Sequence, residues 1–176
     1  MKSLKIAIAV FVAIVVVIWG YGLTLSSTYK VQRSIIIEAS AEQVYQKISD
    51  FEQWRSWGVW FTRDPNMTIK VIVNAAQGGH KITWQSLSQG NGSMTLTEAV
   101  ANQSLNYLLE FPDMATSSNG RMTIENIDNK VKVTWSDSGD VGSDIVSRYI
   151  ILFIDGLIGK DFEQGLLQLR EIVEGN

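Results

Sequence analysis

The chain has 176 residues, no cysteine and one histidine, and its 15 Lys and Arg against 18 Asp and Glu give a net charge of −3. The lack of Cys excludes disulfides, thiolate metal sites and cysteine nucleophiles. A lone His argues against a histidine-based zinc site within one chain, and a pI near 5.2 argues against a nucleic-acid surface. With 45% hydrophobic and 19% charged residues the composition is that of a folded chain, not a disordered one.

The first element is IAIAVFVAIVVVIWGYGLTL, residues 6–25, without one charge. At about 1.5 Å per residue such a run matches the roughly 30 Å hydrocarbon core of a bilayer. Trp19 and Tyr21 stand near its end, where amphipathic rings favour the interface. The run exceeds a usual signal-peptide core and no A-x-A-like site follows, so a membrane anchor is expected rather than a cleaved leader. Lys2 and Lys5 precede it, and Lys30 and Arg33 follow. That tie, tipped by a free amino terminus, places the N-terminus in the cytoplasm and the rest of the chain outside it. Setting Lys2 and Lys5 aside leaves 13 basic residues against 18 acidic, so the remainder has no charge-driven attraction to an anionic membrane.

Residues 1–28 are thus read as anchor and linker, and 29–176 as one domain. Val31, Arg33, Ile35 and Ile37 alternate as in a strand. Ser40 and Gln43 form an S-x-x-Q capping box that opens a helix through Ser49, with Val44, Tyr45 and Ile48 on its apolar face. A short helical or irregular stretch follows over residues 50–61. Period-two runs then fill the middle of the chain. They are Met67, Ile69, Val71 and Val73; Ile82 and Trp84; Met94 and Leu96; Leu105, Tyr107, Leu109 and Phe111; Met122 and Ile124; and Val131, Val133 and Trp135. Turn signals separate them at Gly78-Gly79, Gly90-Asn91-Gly92, Ala101-Asn102, Ser118-Asn119-Gly120 and Asp128-Asn129. The pattern predicts an antiparallel meander of about seven strands once residues 29–37 are added. Helical spacing returns over residues 144–174 and predicts one long helix. Its part from Tyr149 to Ile158 is apolar nearly all round, which implies burial on more than one side.

Three stretches carry a family resemblance: RSIIIEASAEQVYQKISDFEQWRSW at residues 33–57, the Trp84 strand with the Gly90/Gly92 turn and SMTLTEAV, and RYIILFIDGLIGKDFEQGLLQL at 148–169. From Val31 to Val173 the chain resembles the polyketide cyclase/dehydrase and lipid-transport group of the START-like (SRPBCC) superfamily. The resemblance implies an α+β helix-grip fold, a curved antiparallel sheet around a long C-terminal helix, here preceded by one transmembrane helix. It also implies a hydrophobic small molecule or lipid as ligand, held between sheet and helix, with no metal and no cofactor. Members of this superfamily bind ligands, catalyse, or serve as chaperone cofactors, so fold alone leaves function open.

The candidate ligand-binding residues are Trp57 and Trp60, spaced with Trp54 along one helical stripe; Trp84, Tyr107 and Trp135, on the apolar strand phase; Glu98, in phase with Met94 and Leu96; and Tyr149 and Phe153, beside Gly156, Gly159 and Gly165 in the last helix. An ionisable group on an inward phase needs a partner or solvent. His80 joins Glu98 on that ground. Plain packing accounts for the aromatic residues equally, a place at the start of its strand accounts for His80, and a strand end or a bulge that turns it outward accounts for Glu98. No catalytic residue is assigned. Three functions compete: a membrane-anchored module for a hydrophobic ligand; a cyclase- or aromatase-like enzyme using Glu98, Tyr107 and His80 as acid–base groups; and a regulatory protein with an unknown protein partner. Nucleotide-binding glycine loops, a G-x-S-x-G elbow and calcium-loop spacing are all missing from the sequence.

Overall fold

The structure, a computed structural model, describes residues 2–74, 79–114 and 116–175. Helix α1 (Lys2–Thr24) is long and apolar enough to cross a membrane. Strand β1 (Thr28–Ile37) follows, then helices α2 (Ala41–Ser49), α3 (Trp54–Trp57) and α4 (Val59–Arg63). Six strands come next: β2 (Thr68–Asn74), β3 (Gly79–Gln85), β4 (Gly92–Val100), β5 (Ser104–Phe111), β6 (Thr116–Ile127) and β7 (Lys130–Asp140). Helices α5 (Ile145–Ile150) and α6 (Ile154–Glu174) close the chain. The capping box opens α2 as expected: Gln43 N–H donates to Ser40 Oγ, and Ser40 N–H to Gln43 Oε1.

The seven strands form one antiparallel sheet in the order β1-β7-β6-β5-β4-β3-β2. Their period-two apolar phase faces α2, α3 and α6. Val31, Ile82, Leu105, Met122, Val133 and Trp135 are buried there with Val44, Ile48, Phe162, Leu166 and Leu169. This is the α+β helix-grip architecture, preceded by an apolar N-terminal helix. The register puts the start of β1 beside the end of β7 (Thr28 with Asp140), the end of β5 beside the start of β6 (Phe111 with Thr116), and the end of β3 beside the starts of β2 and β4. All of these termini run along one end of the sheet, the end from which α1 departs.

Three expectations need correction. Ser118-Asn119-Gly120 is no turn; it lies inside β6, and the chain reverses instead through a 3₁₀ turn at Pro112–Met114. Glycine is required at Gly120 for a different reason: Tyr107, directly opposite on β5, lays its ring across that position. Gly92 likewise faces Trp84, and Gly139 faces Tyr29. The C-terminal helix is also not continuous. A 3₁₀ segment, Ile151–Phe153, separates α5 from α6, and neither Pro nor Gly marks the break. Finally, the apolar stretch between Tyr149 and Ile158 is buried on one side only, because Ile150, Leu152, Phe153 and Leu157 are exposed. Of the expected turns, Asn102 and Asp128 do adopt positive φ, of 60° and 52°, whereas Gly78 lies outside the described residues.

Candidate functional site: an apolar cavity beside an aromatic plug

Beneath the middle of α6 the inside of the sheet is filled. Trp135 stacks on Phe162 with ring centroids 4.3 Å apart and planes 9° from parallel. Trp54, Trp57 and Trp60 meet Trp135 edge-on at 5.5, 5.4 and 5.7 Å. The Trp135 indole N–H donates to the Tyr107 hydroxyl at 2.7 Å, which satisfies a buried donor. The Trp54 and Trp57 indoles donate to the carbonyls of Ile48 and Lys47, fixing α3 against the end of α2. Close approach of α6 depends on Gly165, where a Cβ would stand 2.8 Å from Trp135 Cζ3.

To one side of this plug, between α4, α6 and strands β3 to β5, an apolar cavity of about 310 Å³ remains. Its walls are Trp54, Trp60, Phe61, Met67, Trp84, Met94, Tyr107, Leu109, Phe111 and Met114. The polar lining is confined to Arg63, Ser88, Gln89 and Asp161 besides the Tyr107 hydroxyl. Asp161, 9% exposed on the inner face of α6, accepts from Trp60 Nε1 at 2.8 Å and from both terminal nitrogens of Arg63. This pins α4 to α6 across the cavity wall. Burial pushes the Tyr107 hydroxyl well above the ordinary phenol range, so it stays protonated.

Arg63, Ser88 and Met114 are the exposed lining residues and mark the mouth. Arg63 ends α4, and Ser88 and Met114 belong to the β3–β4 and β5–β6 connections; all three lie at the end of the sheet where β1 begins. The connections are tied together. Asp64 accepts from Ser86 Oγ at 2.5 Å and Ser88 Oγ at 3.3 Å, and Asn91 Nδ2 donates to Asp113 at 2.8 Å. The Ser86 hydroxyl holds the Asp64 carboxyl below its usual range.

Of the residues singled out from sequence, Trp60, Trp84 and Tyr107 meet at the cavity. Trp57 and Trp135 are fully buried one layer behind it. Glu98 is exposed, because a bulge between Leu96 and Glu98 shifts the β4 register and turns its carboxylate outward to accept from Asn106 Nδ2. The expected inward phase therefore fails at Glu98. His80 is half-buried and does not belong to the lining. Tyr149 and Phe153 lie away from the cavity: the Tyr149 hydroxyl donates to the Ile18 carbonyl of α1 at 2.6 Å, and Phe153 is exposed. Sequence reasoning missed Arg63 and Asp161. Asp161 had a signal, a carboxylate three residues after Ile158 and seven after Ile154 on the inward helical stripe. Met67, Met94, Leu109 and Phe111 had none, since lining and solid core share one apolar phase.

Among the described residues no group of three or more His, Asp and Glu side chains is placed to hold a metal ion. A second buried polar group joins β1, β6 and β7. Asp137, 3% exposed, accepts from Tyr29 Oη at 3.1 Å and Ser118 Oγ at 2.7 Å. Burial raises its carboxyl to about 6, and burial beside that carboxylate pushes the Tyr29 hydroxyl up to about 12.

Residues 28–174 match the family model described as polyketide cyclase/dehydrase and lipid transport. No curated protein matches. Similar solved structures include a protein of unknown function from Staphylococcus aureus (11% identity, 84% of this chain and 94% of that one, TM-score 0.64). The Zhui aromatase/cyclase from a Streptomyces species aligns over 84% of this chain and 94% of its own at 11% identity, with a TM-score of 0.60. The Aha1 dimer from Colwellia psychrerythraea is 16% identical, covering 83% and 96%, with a TM-score of 0.57. At these identities the likeness is one of fold.

Proposed function

The chain belongs to the polyketide cyclase/dehydrase and lipid transport family, and on that premise we propose that it is a membrane-anchored binding module for a hydrophobic small molecule or lipid. The observation that carries this reading is the cavity of about 310 Å³, walled by Trp60, Trp84, Tyr107 and methionines, with its charged groups gathered at Arg63 and Asp161. That volume falls at the lower end of ligand pockets, about 300–1,000 Å³. It suits a single acyl chain or a small ring system better than a two-chain lipid. Burial of apolar area, at about 25 cal/mol per Å² before association costs, would supply the affinity. Methionine walls can repack around guests of unequal shape. Helix α1 would span the bilayer through residues 6–25, with Lys2 and Lys5 on the cytoplasmic side and the domain beyond the opposite face.

The test is mass spectrometry of organic extracts from the detergent-solubilised full chain, beside Met94→Trp, which fills the cavity from β4. A discrete apolar compound in the parent, depleted in the variant, is expected. Equal extracts from both proteins, with no saturable binding of a fluorescent fatty acid by either, would overturn the reading.

A cyclase- or aromatase-like activity is the second reading. What favours it is that Tyr107 lines one apolar cavity with the Arg63–Asp161 pair, where a bound chain would be held folded beside a phenol hydroxyl. Glu98 and His80 take no part in that lining. Turnover of a linear polyketone by the parent, lost in Tyr107→Phe, is the outcome that would prefer it.

A further inference from the structure

The exposed apolar residues at the start of the C-terminal segment have no role in the cavity. Val146, Ile150, Phe153 and Leu157 follow one another at steps of four, three and four, so they form one stripe along α5, the 3₁₀ turn and the first turn of α6. Their exposures run from 51% to 68%. The flanks of the same segment are occupied: Ile145 packs on Gly22 of α1, and Ile154 and Ile158 pack on the domain core.

The depth of this segment follows from its contacts with α1. Arg148 donates to the carbonyls of Leu23 at 3.1 Å and Leu25 at 3.3 Å, groups that the end of a helix leaves unpaired. The Tyr149 hydroxyl reaches further down, to Ile18. Ile18 stands seven residues before Leu25, about 10 Å along a helix that rises 1.5 Å per residue. The uncharged run of residues 6–25 is barely long enough to cross a bilayer, so all of it is needed within the apolar layer. A residue that touches Ile18 therefore lies below the membrane surface. An interfacial helix buries its apolar face about 5–10 Å into the headgroup and acyl boundary; α5 packs through Ile145 on Gly22, about 5 Å below Leu25, and its Tyr149 side chain reaches deeper.

We infer that the stripe Val146, Ile150, Phe153 and Leu157 is a membrane-contact surface, seated in the interfacial layer of the same bilayer that α1 spans. This rests on the anchor reading of α1 given above. Its occupant is lipid, since the stripe lies exposed on a segment held against α1 at a depth where the acyl boundary begins. The domain is thereby docked on the bilayer, with the end of the sheet that carries the cavity mouth turned towards it.

The chain has no cysteine, so single-cysteine variants of the full protein report one position each. Ile150→Cys and Phe153→Cys are labelled with an environment-sensitive fluorophore and reconstituted in phosphatidylcholine vesicles with or without a shallow spin-labelled lipid. Trp19→Cys in α1 and Asp128→Cys at the far end of the sheet give the membrane and water references. Blue-shifted emission and quenching at positions 150 and 153, comparable to position 19 and absent at 128, is expected. Water-like emission at 150 and 153 with position 19 still quenched overturns the contact surface while leaving the anchor intact. An unquenched position 19 defeats the anchor reading and this inference with it.

Discussion

The ring of Tyr107 lies flat across Gly120, its directly opposed neighbour on β6, and a Cβ at Gly120 would overlap the ring atoms. The relationship matters because Tyr107 is at once a wall of the cavity and the acceptor for the Trp135 indole. One glycine thus sets the position of a ring on which both the plug and the cavity depend.

Gly120→Ala is therefore expected to destabilise the fold by about 1–3 kcal/mol, the range for overpacking a well-filled interior. Urea unfolding followed by tryptophan fluorescence measures it. A change within about 0.5 kcal/mol, the size of a neutral surface substitution, would show that the ring moves aside freely.

Tyr107→Phe keeps the ring and removes the oxygen that receives the Trp135 N–H. A buried donor left unpaired costs about 1–3 kcal/mol. The same urea midpoint reads the loss, and bound ligand should survive it if the hydroxyl serves packing rather than chemistry.

The glycines of α6 separate into two kinds. A Cβ at Gly156 meets nothing within 4 Å, so Gly156→Ala should stabilise, by up to about 1 kcal/mol from helix propensity. At Gly165 the same change drives a methyl against Trp135, and at Gly159 against the Arg33 guanidinium that pairs with Asp155 and Glu163. Gly165→Ala should lower the thermal midpoint. Gly159→Ala should do so by less, because Arg33 lies at the end of a flexible side chain.

Asp137 gives the fold a pH dependence of definite sign. Its folded value, about 6, lies above the unfolded value near 3.8. The folded state therefore holds the proton more tightly, and this contribution is complete below the unfolded value and lost as pH rises through 6. Two units correspond to about 3 kcal/mol. Asp137→Asn mimics the protonated form, so it should match the parent at pH 4 and exceed it in thermal midpoint at pH 8. A constant difference between the two across that range would refute the assignment.

Much of the architecture can be read from the residues themselves. Seven strands follow from period two, the start of α2 from Ser40 and Gln43, and the apolar helix from residues 6–25. The misreadings share a physical cause: a local signal was answered by a distant partner. Ser118-Asn119-Gly120 has turn chemistry, yet its glycine exists for a ring on the next strand. Glu98 has the right parity, yet the bulge at Leu96 reverses it. Tyr149 and Phe153 have helical spacing with the core, but they face the first helix and solvent. The cavity itself was legible only as an aromatic apolar phase. Which members of that phase line a void and which fill space depends on Trp135 and Phe162 meeting across the sheet, and no spacing records that.

The stack of Trp135 on Phe162 has a consequence for selectivity. Behind Trp54, Trp60 and Tyr107 it forms a rigid backstop, held by edge-on rings and one indole hydrogen bond. A guest entering by the mouth can advance only until it meets that barrier. On the binding reading proposed above, affinity across a homologous series of straight-chain compounds should climb with each added methylene and then stop rising abruptly, a cut-off by length as well as oiliness. Shaving Trp60, which lines the cavity in front of that stack, to a smaller ring would move the cut-off to longer chains.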